Sequence, residues 1–171
     1  MSNLPVLDDF YQSSFSLEHT TRYSMKPVIR SETVASHSFF VALGVMLLAR
    51  EYEFSVGRAV KIALCHDLAE MQISDVNHVV KRTYPDLAKV LKEVERDVVD
   101  NFPDEVRHYC IAENDGSVEA LVVKFADAWQ CHQYAAGEIA LGNRGYMQEV
   151  FDRSAERMND MRETLEPWRK K

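Results

Sequence analysis

The chain has 171 residues, of which 46% are hydrophobic and 27% charged, and its formal net charge is −7 at pH 7. This size and composition are typical of a globular protein, and we expect residues 1–171 to form one domain. The acidic balance argues against a general nucleic-acid-binding surface, which would normally be basic. The sequence also lacks the features of a secretory leader and any apolar run long enough to cross a membrane.

Cysteine usage indicates the redox environment. Cys65, Cys110 and Cys131 form no CxxC pair, and two of them stand within apolar helical patterns. We therefore expect reduced, buried thiols in a cytoplasmic protein.

Hydrophobic periodicity predicts an all-α fold, since no stretch of useful length alternates as a strand would. Ser31 or Thr33 can cap the second helix, and Pro85 opens a later one as a first-turn proline. In chain order the predicted helices span about 4–19, 33–52, 55–70, 78–84, 85–99, 103–114, 117–142 and 146–165.

A basic segment, 22–30, separates the first two predicted helices. It contains three cations and Pro27, which disfavours a continuous helix. A solvated connector is the ordinary interpretation of such a stretch, but this one leads directly into the helix that carries His37. A lone histidine on an apolar stripe is more often a hydrogen-bonded core residue than a metal ligand.

The most informative stretch is 62–70, an apolar run that contains His66, Asp67 and Glu70. An unpaired charge buried in such a helix costs several kcal/mol, so these groups need partners. A bound metal cation would satisfy all three at once.

A further carboxylate, Asp127, stands in the apolar stretch 122–129 of the last long core helix, and it also needs a cation. Lys124 is the nearest one in sequence. Together, His37, the His66-Asp67 pair and Asp127 offer two imidazoles and two carboxylates from three helices. Such a set suits a divalent transition metal such as Zn, Mn, Co or Fe.

This order of residues resembles that of the HD-domain phosphohydrolases. The surrounding motifs are similar to those of the bacterial 5′-deoxynucleotidase branch, in one register from Arg22 to about Asn143. That branch includes short phage-encoded enzymes that hydrolyse dATP, which this chain resembles in its compact length. The matching stretches are Arg22-Tyr23, 30–38, 65–70, Ser74-Asp75, Val80-Lys81 and 124–128.

The resemblance implies a compact HD-domain bundle of about seven to eight helices around a divalent ion, Zn, Mn or Co. A second ion such as Mg at the phosphates is left open. Glu70 and Asp75 would flank the reacting phosphate, one activating water and the other assisting the leaving oxygen. The implied metal ligands are His37, His66, Asp67 and Asp127.

Substrate contacts are implied in the same way. Arg22 would contact the phosphate or sugar, and Tyr23 takes the place of a tryptophan that walls in the base or deoxyribose. Met25 would lie against the purine edge, although ordinary loop packing explains a methionine equally well. Lys81 and Lys124 would supply charge for a polyphosphate, but both also belong to the deoxynucleotidase pattern.

The first expectation is therefore a metal-dependent hydrolase that converts dATP to deoxyadenosine and triphosphate. The alternative is a 5′-deoxynucleotidase acting on deoxynucleoside monophosphates, and a lower alternative is a non-catalytic module that binds a nucleotide. We further expect a homo-oligomer, a dimer or hexamer, with no nucleic-acid or membrane partner. It would work in the cytoplasm, that of the host if the chain is phage-encoded.

Overall fold

The computed structural model describes residues 4–171, and the regular elements of this range are all helices, without a strand. Eight helices of six or more residues are joined by short turns and one single-turn helix, α4. This confirms the all-α prediction. The helices are α1 (Leu4–Ser14), α2 (Val34–Leu48), α3 (Val56–Cys65), α4 (Glu70–Ile73), α5 (His78–Thr83), α6 (Pro85–Asp100), α7 (Asp104–Ala112), α8 (Val118–Ala140) and α9 (Arg144–Leu165), with short 3₁₀ turns at Phe15–Glu18 and Glu166–Trp168.

Helix α8 is the centre of the packing. Helices α2 and α3 pack against each other and against α8, and α9 runs along another side of α8. Their inward faces form one apolar cluster that includes Val41, Ile62, Val122 and Leu165. The helices that carry His37 and Asp127 are thus held in the best-packed part of the molecule, which restricts their movement.

Helix α2 is apolar on nearly all sides, which the sequence analysis interprets as a central position. One side is indeed buried, but Phe39, Phe40, Met46 and Leu47 on the other side are each more than half exposed. None of the helices within residues 4–171 is both long and apolar enough to cross a membrane.

The segment between α1 and α2 is anchored to the rest of the fold. Thr21 and Thr33 form an antiparallel bridge, and the Arg22 amide donates to the Glu32 carbonyl at 2.9 Å. Thr33, one of the two predicted caps, accepts from the Ser36 amide at 3.1 Å, and the Ser36 hydroxyl accepts in return from the Thr33 amide. The bridge between Thr21 and Thr33 places Arg22 beside the start of α2.

The far end of the same segment is held by Glu138, which is fully buried near the end of α8. Its carboxylate accepts from the backbone amides of Ile29 and Arg30 at 2.7 and 2.9 Å and from the Asn143 side-chain amide at 2.8 Å. The buried charge is therefore well satisfied. The segment is a fastened loop and not the solvated connector that its composition suggests.

Two local details concern the candidate site residues, and the first of them differs from the sequence analysis. Helix α3 ends at Cys65, so His66 is its C-cap and Asp67 lies in the tight turn before α4. Apolar periodicity could not locate this end, because the turn is largely buried as well. At α5 the cap is Asn77, whose side chain accepts from the Val79 amide at 2.7 Å, which leaves Asp75 available for another role.

The packing predicts that substitutions at two nearby positions of α3 change the free energy of unfolding by very different amounts. Ile62 is fully buried and Leu64 is 48% exposed. Ile62→Ala should lower the free energy of unfolding by about 2–5 kcal/mol because it leaves a cavity in the core, while the control Leu64→Ala should change it by less than about 1 kcal/mol. Urea denaturation in the presence of a chelator measures both, and equal effects would contradict this view of the core.

Candidate metal and active site

Side chains from three helices and one turn meet beside α8. His37 comes from α2, His66 from the end of α3, Asp67 from the following turn and Asp127 from α8. One potential ligand atom each from His37, His66 and Asp127 lies within 4.8 Å of the others. The structure thus brings together residues up to 90 positions apart in sequence, as the resemblance implies.

The fourth predicted ligand, Asp67, faces both histidines. Its Oδ2 lies 3.2 Å from the Nε2 of His66 and 3.7 Å from the Nε2 of His37. On the other side, the Asp127 Oδ1 lies 3.3 Å from the His37 Nε2. The two imidazoles are buried, whereas each carboxylate side chain keeps about a fifth of its surface exposed, at 22% and 21%. The carboxylates therefore form the open side of the cluster.

The hydrogen bonds on the far side of each ring indicate which nitrogen is available to a cation. The His66 Nδ1 lies 2.7 Å from the Ala63 carbonyl, which can only accept, so this nitrogen carries the proton in the neutral ring. Neither the His37 nor the His66 Nε2 has a hydrogen-bond partner among the described residues, although both atoms are buried. Two such nitrogens beside carboxylate oxygens fit a divalent transition metal.

Opposite charges within the cluster shift the pKa values of its members. Burial alone would lower the pKa of His66, but the charge of Asp67 raises it to about 10. Burial alone would raise the pKa of Asp127, but the neighbouring His37 imidazole holds that pKa well below its usual range. A metal must displace the extra proton of His66 in order to bind, so metal affinity should increase with pH.

Each carboxylate of the cluster also has an arginine partner. The Arg157 Nη2 lies 2.9 Å from the Asp127 Oδ2, and the Arg22 Nη1 lies 3.4 Å from the Asp67 Oδ2. Lys124, the nearest cation to Asp127 in sequence, instead donates to the Asn114 side chain at 3.2 Å. Arg157 belongs to α9, whose amphipathic pattern is typical of simple packing, so the sequence analysis missed it.

A cavity of about 610 Å³, here called the central cavity, opens over the cluster. This volume lies within the roughly 300–1,000 Å³ of typical small-molecule sites. Of the residues singled out in the sequence, eight line it: Arg22, Tyr23, His66, Asp67, Glu70, Asp75, Lys81 and Asp127.

The other three predicted site residues do not line the central cavity in the described part of the chain. His37 lies behind it, fully buried, and the Met25 side chain is 72% exposed elsewhere on the basic segment. Lys124 is also absent from the wall. Conversely, Lys92 of α6 and Arg157 of α9 do line the cavity. The sequence analysis assigned no chemistry to either of them, since both stand on amphipathic helices.

Glu70 is the carboxyl group best suited to proton transfer. Its Oε2 is buried and has no hydrogen-bond partner in the described part of the chain. Burial, followed by the charges of Asp67 and Asp75, raises its pKa to about 8. A cation in the cluster would favour its ionised form, so Glu70 could take up a proton near neutral pH.

Tyr23 has an unusual backbone conformation at the cavity wall, with φ of 56°, which bulky residues rarely adopt. Its ring stacks on Tyr134 with the centroids 5.1 Å apart and the planes nearly parallel. Strain of this kind is often found where a side chain must be presented to a ligand.

The family model of the YfbR-like 5′-deoxynucleotidases matches residues 9–166. The chain belongs to this family. A 5′-deoxynucleotidase of Vibrio cholerae is 28% identical over 141 residues, which cover 74% of this chain and 73% of the relative. The family resemblance found in the sequence is therefore confirmed, and the chain is a member of a family of phosphohydrolases.

Two solved structures show the same architecture. An HD-domain phosphohydrolase from Listeria innocua superposes with a TM-score of 0.78 at 24% identity, covering 92% of this chain and 82% of its own. An HD phosphohydrolase of cyanophage S-2L, solved with dA and one catalytic Zn²⁺ ion, has a TM-score of 0.61 at 20% identity, covering 91% and 96%. These likenesses confirm the predicted HD-domain fold of this 5′-deoxynucleotidase family member.

The geometry predicts which substitutions abolish metal binding. His37→Ala and Asp127→Ala each remove one of the clustered donor atoms and should lower the affinity for Zn²⁺ by at least about 100-fold. The exposed His108 of α7 is a suitable control, and His108→Ala should bind as the wild type does. Competition with a chromophoric chelator measures all three, and unchanged affinity in the first two variants would contradict the site.

Proposed function

We propose that the chain is a metal-dependent 5′-deoxynucleotidase that releases phosphate from deoxynucleoside monophosphates. The observation that carries this proposal is the cluster of His37, His66 and Asp127, whose donor atoms lie within 4.8 Å of one another beneath the central cavity. Membership of the 5′-deoxynucleotidase family supports this substrate class.

In this proposal His37, His66, Asp67 and Asp127 hold the ion. Bound there, a divalent metal would polarise a phosphoryl oxygen and acidify a water molecule. The imidazoles are oriented by hydrogen bonds on their far sides, so their unpartnered nitrogens point into the cluster without rearrangement.

Glu70 acts as the general base in this scheme. Its buried, unpartnered Oε2 takes the proton of the water whose oxygen attacks the phosphorus. The bond from phosphorus to the 5′ oxygen then breaks, and that oxygen takes its proton from a water molecule oriented by Asp75, which lies in the same cavity wall. The products are a deoxynucleoside and inorganic phosphate.

Arg22 and Tyr23 form the substrate-facing side of the cavity. The Arg22 guanidinium is already held by Asp67 and Glu32, so it can offer its remaining donors to a phosphate without losing much conformational freedom. The Tyr23 ring stands next to it and provides an apolar wall for the deoxyribose.

The sequence analysis placed dATP first, and two observations favour the monophosphate instead. The matching family and the Vibrio cholerae relative are both 5′-deoxynucleotidases, whereas the cyanophage enzyme is similar in fold alone. In addition, Met25, which would contact the purine edge, and Lys124, one of the two lysines expected at a polyphosphate, lie outside the described wall of the central cavity, whereas Lys81 lies within it.

A product assay separates these possibilities. Purified protein is supplied with Zn²⁺, Mn²⁺ or Co²⁺ and incubated with dAMP, AMP and dATP, and the products are identified by chromatography. We expect deoxyadenosine and phosphate from dAMP, slower reaction with AMP, and no tripolyphosphate from dATP. Tripolyphosphate from dATP with inert dAMP would support the first expectation instead, and no reaction at all would favour a nucleotide-binding module.

The role of Glu70 predicts a selective loss of rate. Glu70→Gln should lower kcat for dAMP about 10²–10⁴-fold because the base is lost, while Zn²⁺ affinity stays close to that of the wild type. Glu163→Gln, an exposed position of α9, is the matched control and should leave kcat unchanged. A Glu70→Gln enzyme with normal kcat would exclude this residue as the base.

A further inference from the structure

Behind the metal cluster, a chain of polar side chains connects His37 to Arg22. The His37 Nδ1 lies 2.7 Å from the Gln130 Oε1, and the Gln130 Nε2 donates to the Glu32 Oε1. The other Glu32 oxygen, Oε2, lies 3.4 Å from the Arg22 Nε and forms an ion pair with it, although neither atom makes a hydrogen bond within the described residues. Glu32 is 5% exposed and His37 is fully buried, so water has little access to this chain of contacts.

The direction of each hydrogen bond in this series follows from the carboxylate of Glu32. An ionised carboxylate can only accept, so Glu32 requires the amide nitrogen of Gln130 to face it. The amide oxygen of Gln130 must then face His37, where it can only accept. The His37 Nδ1 is therefore the protonated nitrogen, and its Nε2 keeps a lone pair on the side of Asp127.

We propose that Glu32 is a positioning residue for both halves of the active site. Through Gln130 it fixes the tautomer and ring orientation of His37 towards the metal, and through its other oxygen it fixes the guanidinium of Arg22 towards the phosphate. This inference rests on the proposed metal site but not on which nucleotide is hydrolysed.

The backbone explains why one carboxylate can reach both groups. Glu32 directly precedes the Thr33 cap of α2, the helix of His37, and its carbonyl accepts from the Arg22 amide. Gln130 stands one turn after Asp127 on α8, so the same helix supplies a metal ligand and the amide behind His37. The pairing of Thr21 with Thr33 thus brings the segment that carries Arg22 next to the start of α2, the helix that carries His37. Glu32 lies between the two.

If Glu32 acted on Arg22 alone, the Gln130 amide would have no influence on metal binding, and this difference makes the proposal testable. Gln130→Met removes both amide contacts at nearly constant size and should weaken Zn²⁺ binding about 10–100-fold, as loss of a partner behind a histidine ligand typically does. The control Gln133→Met, at an exposed position of the same helix, should bind Zn²⁺ as the wild type does.

A double-mutant cycle tests whether Glu32 acts through Gln130. Glu32→Met should weaken Zn²⁺ binding as well. The double variant should bind Zn²⁺ almost as tightly as whichever single variant has the lower affinity, because both changes break the same chain of contacts. Fully additive losses would contradict this route. Circular dichroism and thermal unfolding of the metal-free proteins establish that each variant is folded.

Glu32→Gln separates the two functions of the side chain and keeps the fold testable if Glu32→Met is unstable. Its amide oxygen can still accept from Gln130, but an amide replaces the carboxylate beside Arg22. We expect Zn²⁺ affinity close to the wild-type value, with the inhibition constant of inorganic phosphate and the KM for dAMP raised about tenfold and kcat changed much less.

The outcomes distinguish this inference from the proposed function. Zn²⁺ binding by the wild type together with unchanged binding by Gln130→Met would overturn the inference and leave the metal site standing. A wild type that binds no Zn²⁺ would overturn the metal site and the inference with it. Weaker binding in Gln130→Met, non-additivity in the cycle and the separation in Glu32→Gln together support it.

Discussion

The structure depends on keeping two carboxylates, Asp67 and Asp127, beside two buried imidazoles. Two negative charges in the same poorly hydrated cluster repel each other, so the cluster forms only where positive charges compensate them. Arg22 and Arg157 each pair with one carboxylate from the open side, while the histidine rings face them from the core. A divalent ion is the natural further compensation, since it can replace the extra proton of His66 and leave the arginines in place.

The rest of the fold positions these groups. The apolar cluster formed by α2, α3, α8 and α9 fixes the backbones of His37 and Asp127, and the end of α3 fixes His66. Glu138 and the Thr21–Thr33 pairing hold the basic segment against this core, so that Arg22 and Tyr23 form the cavity wall. Although the chain is acidic overall, the described wall of this cavity carries as many Lys and Arg side chains as carboxylates, six of each, and a bound divalent ion would make its field favourable to a phosphate group.

Sequence patterns located the cluster itself but not its supports. His37, His66 and Asp127 were recognisable because a polar residue on an apolar helical face needs a partner, and the family resemblance gave their common purpose. Gln130 and Arg157 gave no such signal, since each stands where a helix would ordinarily meet solvent, and only tertiary distances reveal their contacts. The same limit explains why the nearest cation in sequence, Lys124, is not the partner of Asp127, and why the predicted end of α3 comes too late.

The central claim is that these residues form a metal-dependent phosphate-releasing site, and metal depletion followed by titration tests it most directly. Protein treated with a chelator and then dialysed is assayed for phosphate release from dAMP as Zn²⁺, Mn²⁺ or Co²⁺ is added back. The account predicts loss of activity on depletion and recovery that saturates at one tightly bound ion per chain. Full activity in the metal-free protein, or saturable metal binding that never produces phosphate from dAMP, would contradict it.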